Sequence, residues 1–205
     1  MASSPGQVSA AYGARAAEYI AALGSLDAMA YKDVETITDW ADGLEGLVLD
    51  AGCGPGHWTK LLQSRGVSVR GIDMVPAFIR HASRRYPDVS FQLGTLESLP
   101  AAAESLGGIL AWYSIIHTEP QEVPGLLEGF FRSLRPGGSV LLGVFEGPDL
   151  RPFDHAVAPA YTWPVPEIRH ALLGAGFRVS RTVTRQDQGS RPHAALIAER
   201  PAVTL

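Results

Sequence analysis

Asp50, Asp73 and His117 are the side chains through which this sequence could do chemistry, and a glycine turn separates the first two. The turn, Gly52-Cys53-Gly54-Pro55-Gly56, directly follows the apolar run Leu47-Val48-Leu49-Asp50-Ala51. Glycines let backbone pass close beneath a ligand and adopt positive φ. Asp73 closes the next apolar run, where a carboxylate could accept both hydroxyls of a ribose; the plainer role there is a helix N-cap. Asp50 would repel a pyrophosphate and suit a cationic ligand, or would simply cap the strand end. The glycine spacing departs from the G-x-G-x-x-G dinucleotide fingerprint, because position 57 is His. His117 lies in Tyr113-Ser114-Ile115-Ile116-His117-Thr118-Glu119-Pro120, after another buried run. Its imidazole titrates near working pH and could act as a general base, or could hydrogen-bond substrate or backbone without moving a proton.

Other chemistries find no residues. There is no H-E-x-x-H and no cysteine pair to hold zinc, so no metal is expected. The P-loop lysine is missing, since Gly56 is followed by His57-Trp58. Cys53 has no neighbour that would activate a thiolate and reads as a small residue that fits the turn. As the sole cysteine it excludes an internal disulfide and fits a reducing, cytoplasmic setting. A formal charge of −4 gives no general attraction to nucleic acid. The start, Met1-Ala2-Ser3-Ser4-Pro5-Gly6, has neither basic flank nor apolar core, so no signal peptide is expected. No apolar run approaches the roughly 20 residues that span a bilayer.

The elements that must position these residues follow from pattern. From Leu47 onward, short runs rich in Val, Ile and Leu alternate with helix-like segments, as in a parallel sheet. The strands expected are 47–51, 67–73, 89–93, 108–114 and 139–145, with helices after the glycine turn, after Pro76, and through Leu126, Leu127, Phe130, Phe131 and Leu134. The last two runs, 177–184 and 193–198, lie too close for a helical crossover and must pair antiparallel. Residues 147–164 are rich in proline and aromatics and form an insert, and a loop that long inside a compact domain usually carries function. The expectation is an α/β fold, a seven-stranded mostly parallel sheet with a C-terminal antiparallel hairpin. An N-terminal helical cap would occupy residues 1–43 and the α/β domain residues 44–205.

Asp50-Ala51-Gly52-Cys53-Gly54-Pro55-Gly56, Asp73, Gly94-Thr95-Leu96-Glu97-Ser98-Leu99-Pro100 and Leu134-Arg135-Pro136-Gly137-Gly138 together resemble motifs of the class I S-adenosylmethionine-dependent methyltransferases. The likeness is to the Rossmann-like small-molecule group that includes ubiquinone- and menaquinone-biosynthesis enzymes. It implies S-adenosyl-L-methionine as cofactor and S-adenosyl-L-homocysteine as product. It also implies a small-molecule acceptor methylated on O, N or C by in-line displacement, in a monomer or homodimer. The first motif would carry the cofactor through Asp50, Ala51, Gly52, Cys53, Gly54 and Gly56, with the backbone of His57 and Trp58. Asp73 and Met74 would hold the ribose, and Thr95 and Leu96 the adenine. Thr95 stands where the family often has an acid, which shifts the adenine contact to the Leu96 N–H. Tyr12 and Tyr19 fall on the family's N-terminal helix, closing over the methionine end or packing as an amphipathic face. Trp112, Tyr113, Tyr161 and Trp163 are candidates to line the sulfonium, with core packing the other role for Trp112. The acceptor would meet His117, His155, Arg151, Tyr161 and Trp163, Arg151 binding an anionic group if it is not simply solvated. His81, His170 and His193 read as structural. The alternatives are an NAD(P)-dependent oxidoreductase and a non-catalytic S-adenosylmethionine-binding protein.

Overall fold

A computed structural model describes residues 4–202; residues 1–3, part of the stretch read for a signal peptide, and residues 203–205 lie outside the described residues. Four helical segments come first: α1 (Pro5–Ala14), α2 (Ala16–Leu23), a single 3-10 turn (Leu26–Ala28) and α3 (Tyr31–Ala41). Ser4 opens α1 with a capping box, its hydroxyl accepting from the Gln7 N–H. The alternating region then runs β1 (Leu47–Ala51), α4 (His57–Ser64), β2 (Val69–Asp73), α5 (Pro76–Arg85), β3 (Ser90–Leu93), β4 (Leu106–Trp112), α6 (Val123–Ser133) and β5 (Leu134–Glu146). It closes with β6 (Arg151–Phe153), β7 (Ala160–Trp163), α7 (Val165–Gly174), β8 (Arg178–Arg185) and β9 (His193–Glu199). No helix among the described residues is long and apolar enough to cross a membrane.

β3, β2, β1, β4 and β5 pair in parallel in that order, so the chain winds away from β1 in both directions. That reversal opens a crevice at the carboxyl ends of β1 and β4, where ligands of such sheets bind. β9 pairs antiparallel to β5, and β8 antiparallel to β9, as the short spacing between them required.

Among the described residues the sheet has nine strands, not the expected seven. The two additional strands lie in the insert read as a loop. β4 stops where Trp112 faces Gly143, and β5 runs on; its Phe145 and Glu146 pair instead with Thr162 and Trp163 of β7. β6 covers β7 as an antiparallel edge. Pro152 is tolerated in β6 because an edge strand can spare an N–H.

Strand alternation sorts the two faces. Leu49 and Ala51 point to the face covered by Leu127 and Phe130 of α6 and Ile168 and Leu172 of α7. Val48 points to the opposite face, against Ile37 and Trp40 of α3 and Trp58 and Leu62 of α4. Thus α3 is part of the sheet's covering layer, while α1 and α2 pack on α5 through Tyr12, Tyr19, Val75 and Phe78. Trp40 is buried and its Nε1 donates to Ser139 Oγ at 2.8 Å. Trp40→Ala is therefore predicted to cost about 3–5 kcal/mol, the usual range for a buried Trp. Urea unfolding measures it, and a loss under about 1 kcal/mol would show that α3 does not share the core.

Candidate active site

The glycine turn is shaped by three left-handed residues, Gly52 (φ 86°), Gly54 (φ 53°) and Gly56 (φ 89°). At Gly52 a side chain has no room: a Cβ would stand 2.4 Å from the Ser114 Cβ. The turn is bonded to β2. The Gly52 and Cys53 N–H groups both donate to the Ile72 carbonyl, at 2.9 and 2.8 Å. Gly54 N–H donates to Asp73 Oδ2 at 2.9 Å, and Val75 N–H to Asp73 Oδ1 at 2.8 Å. Each carboxylate oxygen so engaged keeps a lone pair free. Burial pushes the Asp73 pKa up to about 6, against the pull of the Val75 and Gly54 N–H groups.

A cavity of about 420 Å³ opens above this turn. Of the residues singled out from sequence, Tyr12, Tyr19, Gly52, Cys53, Gly54, His57, Trp58, Asp73, Met74, Thr95, Leu96, Trp112, Tyr113, His117 and His155 line it. Asp50, Ala51, Gly56, Arg151, Tyr161 and Trp163 do not. Alternation turns Asp50 to the α4 face with Val48, where it is buried and accepts from Thr59 Oγ1 at 2.6 Å. It braces the helix after the turn and does not line the cavity. Ala51 is buried on the opposite face. Gly56 packs on the Phe91 ring and opens α4. Arg151 is exposed on β6. Tyr161 donates its hydroxyl to Glu119 at 2.6 Å, and Trp163 is buried in the α6–α7 core. These last three were read as loop residues; the β6–β7 pairing fixes where they point.

His117 makes two bonds that set its tautomer. The Pro159 carbonyl, an acceptor only, lies 2.8 Å from Nδ1, so Nδ1 carries the proton. Nε2 is left as an acceptor and takes the Tyr12 hydroxyl at 2.9 Å. Burial lowers the His117 pKa below its ordinary value, partly offset by the Pro159 bond. His155 stacks edge-on against His117 at 5.2 Å, and burial lowers its pKa to about 4. His57 is buried, its pKa lowered by burial to about 4, and neither ring nitrogen has a partner. Ser114 Oγ is likewise buried and unpartnered.

Several lining residues escaped the sequence reading: Asp33, Phe78, Ser114, Phe145 and His193. His193 is hydrogen-bonded to the Tyr113 hydroxyl. Tyr113 itself holds φ 55°, rare for a residue with a side chain. Only the β5–β9 register, Phe145 opposite His193, brings that group to the cavity, and spacing along the chain carries no sign of it.

Residues 48–138 match a family model described as a methyltransferase domain. The malonyl-[acyl-carrier protein] O-methyltransferase of Salmonella typhimurium is 32% identical over 145 residues, covering 67% of this chain and 57% of that protein. The demethylmenaquinone methyltransferase of Beutenbergia cavernae is 32% identical over 107 residues, 52% of this chain and 44% of that protein. The chain thus spans about half the length of these curated relatives. The solved structure of Burkholderia thailandensis 1,6-didemethyltoxoflavin-N1-methyltransferase, with 1,6-didemethyltoxoflavin and S-adenosylhomocysteine bound, shares the fold. Its TM-score is 0.75 at 20% identity, over 98% of this chain and 92% of that one.

Burial pushes the Asp50 pKa from an ordinary 3.8 up to about 7, opposed by the Thr59 hydrogen bond. A carboxyl whose folded pKa is raised favours folding at low pH and loses that contribution as pH rises through the folded value. Asp50→Asn keeps an acceptor for Thr59 without the charge. Its unfolding is predicted to be less pH-dependent between about pH 4 and 7, with stability gained by about 1–3 kcal/mol at pH 8 and little changed at pH 4. Thermal melts at the two pH values check this, and an equal change at both would show that the carboxylate is not the cause.

Proposed function

We propose that this chain, whose residues 48–138 match a methyltransferase domain, is a class I S-adenosylmethionine-dependent methyltransferase that moves a methyl group from S-adenosylmethionine to a small-molecule nucleophile. The observation that carries the reading is one cavity in which Asp73, held by the glycine turn, stands among unpartnered polar groups with no lysine or arginine in the lining among the described residues.

The residues present fit that cofactor. Asp73 retains acceptor capacity toward the cavity for the two ribose hydroxyls. Both His57 ring nitrogens and Ser114 Oγ are buried without partners beside the turn, suited to the polar methionine end. Thr95 and Leu96 lie where an adenine would be gripped, and Tyr12 and Tyr19 stack with Phe78 as a cover from α1 and α2. When bound, S-adenosylmethionine supplies a methyl group on a cationic sulfur whose leaving form is neutral. The protein's work is then to hold a nucleophile about 3–3.5 Å from that methyl and to exclude water. His117, neutral and with its tautomer fixed, accepts the nucleophile's proton at Nε2. The Tyr12 hydroxyl stands on that nitrogen, so a proton reaches it through Tyr12: the oxygen takes the nucleophile's proton as its own passes to Nε2. The single buried cysteine accords with a cytoplasmic setting, and the proposed reaction needs only a monomer or homodimer and no nucleic acid.

Titration calorimetry with S-adenosylhomocysteine and, separately, NAD(P)+ tests the cofactor. Binding of the first without the second is expected; the reverse overturns the reading. Asp73→Ala is predicted to weaken S-adenosylhomocysteine binding by about 1–3 kcal/mol. For a hydroxyl acceptor, His117→Ala is predicted to lower kcat by about 10²-fold or more while leaving the cofactor affinity near its original value. A variant with full turnover would remove the base role.

A further inference from the structure

Resting on the methyltransferase reading, we propose that the acceptor is an uncharged, planar ring bearing an ionisable O–H or N–H, and that carboxylate and phosphate acceptors are turned away. The cavity's far wall is built of rings. Tyr113, Phe145, His155 and His193 pack against one another, with Tyr113–Phe145 at 5.1 Å and Phe145–His193 at 6.0 Å between centroids. Tyr12, His117 and His155 continue the same wall. Flat faces of this kind accept another flat ring in offset or edge-on contact.

Charge selects within that class. No lysine or arginine lines the cavity among the described residues, whereas Asp33, Asp73, Glu97 and Glu122 do. The nearby arginines are committed elsewhere. Arg185 bridges Asp33 and Asp187, at 2.7 and 2.8 Å. Arg15 is bonded to Glu18 and the Ala156 carbonyl, and Arg191 lies 4.0 Å over the Phe153 ring. Burial lowers the pKa of His117, His155 and His193, so the three imidazoles are neutral hydrogen-bonding groups. An anionic acceptor would give up its hydration and find no cation in the lining, which is costly in a partly buried site. A neutral phenol or N–H heterocycle loses less and finds acceptors. In the transfer, the acceptor's lone pair forms the new bond to the methyl carbon and the carbon–sulfur pair leaves on the neutral thioether. The acceptor's proton passes through Tyr12 to His117 Nε2, which leaves the site as an imidazolium until solvent takes the proton.

The test is binding, so that it stands apart from turnover. 1-Naphthol and 1-naphthoate, alike in ring and different in charge, are titrated into the full chain saturated with S-adenosylhomocysteine, with heat as the readout. Naphthol is expected to bind at least about tenfold more tightly. His155→Arg, which places a cation on the ring wall, is expected to shrink or reverse that ratio. Equal or tighter naphthoate binding to the original chain, or no binding of either probe at millimolar concentration, overturns the inference. If S-adenosylhomocysteine itself does not bind, it is the methyltransferase reading that fails, and the same probe pair titrated into the free protein still decides the charge preference by the same ratio.

Discussion

The Gly54 N–H reaches across two neighbouring parallel strands to the Asp73 carboxylate, and the shape of the glycine turn beneath the cavity rests on that bond. It ties the loop leaving β1 to the end of β2. With the Gly52 and Cys53 N–H groups on the Ile72 carbonyl, it gives the turn one shape. The turn in turn sets the start of α4, whose first residue, His57, faces the cavity. Because Gly52 lies against Ser114, the same turn also fixes how close the end of β4 comes. A buried carboxylate is costly in such a place, and Asp73 is kept there by two backbone donors and no cation. That arrangement leaves each Asp73 oxygen with lone-pair capacity toward the cavity.

The parallel core was legible because its strands are short, apolar and separated by helices, and because the final two runs had no room for a crossover. The glycine turn and Asp73 were legible for a related reason: local sequence dictates both. Asp50 lies behind the turn and not on the cavity, although its adjacency to the turn suggested contact with the ligand. Its alternation with Val48, visible in the sequence, already turned it toward α4 and Thr59. The insert was harder. Arg151-Pro152-Phe153 and Ala160-Tyr161-Thr162-Trp163 are too short to show a period, and they become strands only because β5 outruns β4 and leaves an edge to be covered. Trp163 then packs into the core instead of facing the acceptor. His193 and Asp33 reach the cavity by sheet register and helix packing across most of the chain, contacts that no spacing rule encodes.

The insert nevertheless reaches the cavity wall, through its backbone. The Pro159 carbonyl takes the His117 Nδ1 proton, and the Tyr161 N–H donates to the Ile116 carbonyl at 2.9 Å. These two bonds clamp the segment between β4 and α6 from the side opposite α1. The first leaves Nε2 as the acceptor nitrogen, and Tyr12, 105 residues away in sequence, supplies the hydroxyl that covers it. The imidazole is thus oriented by a loop carbonyl on one side and a cap residue on the other, while Asp73 and the glycine turn are held by bonds between β1 and β2. The two halves of the site share few residues. Changes in the insert or in α1 can therefore alter the surroundings of His117 while Asp73 and the glycine turn stay as they are. This separation gives a physical reason for one domain type to be found in relatives whose names record different acceptors.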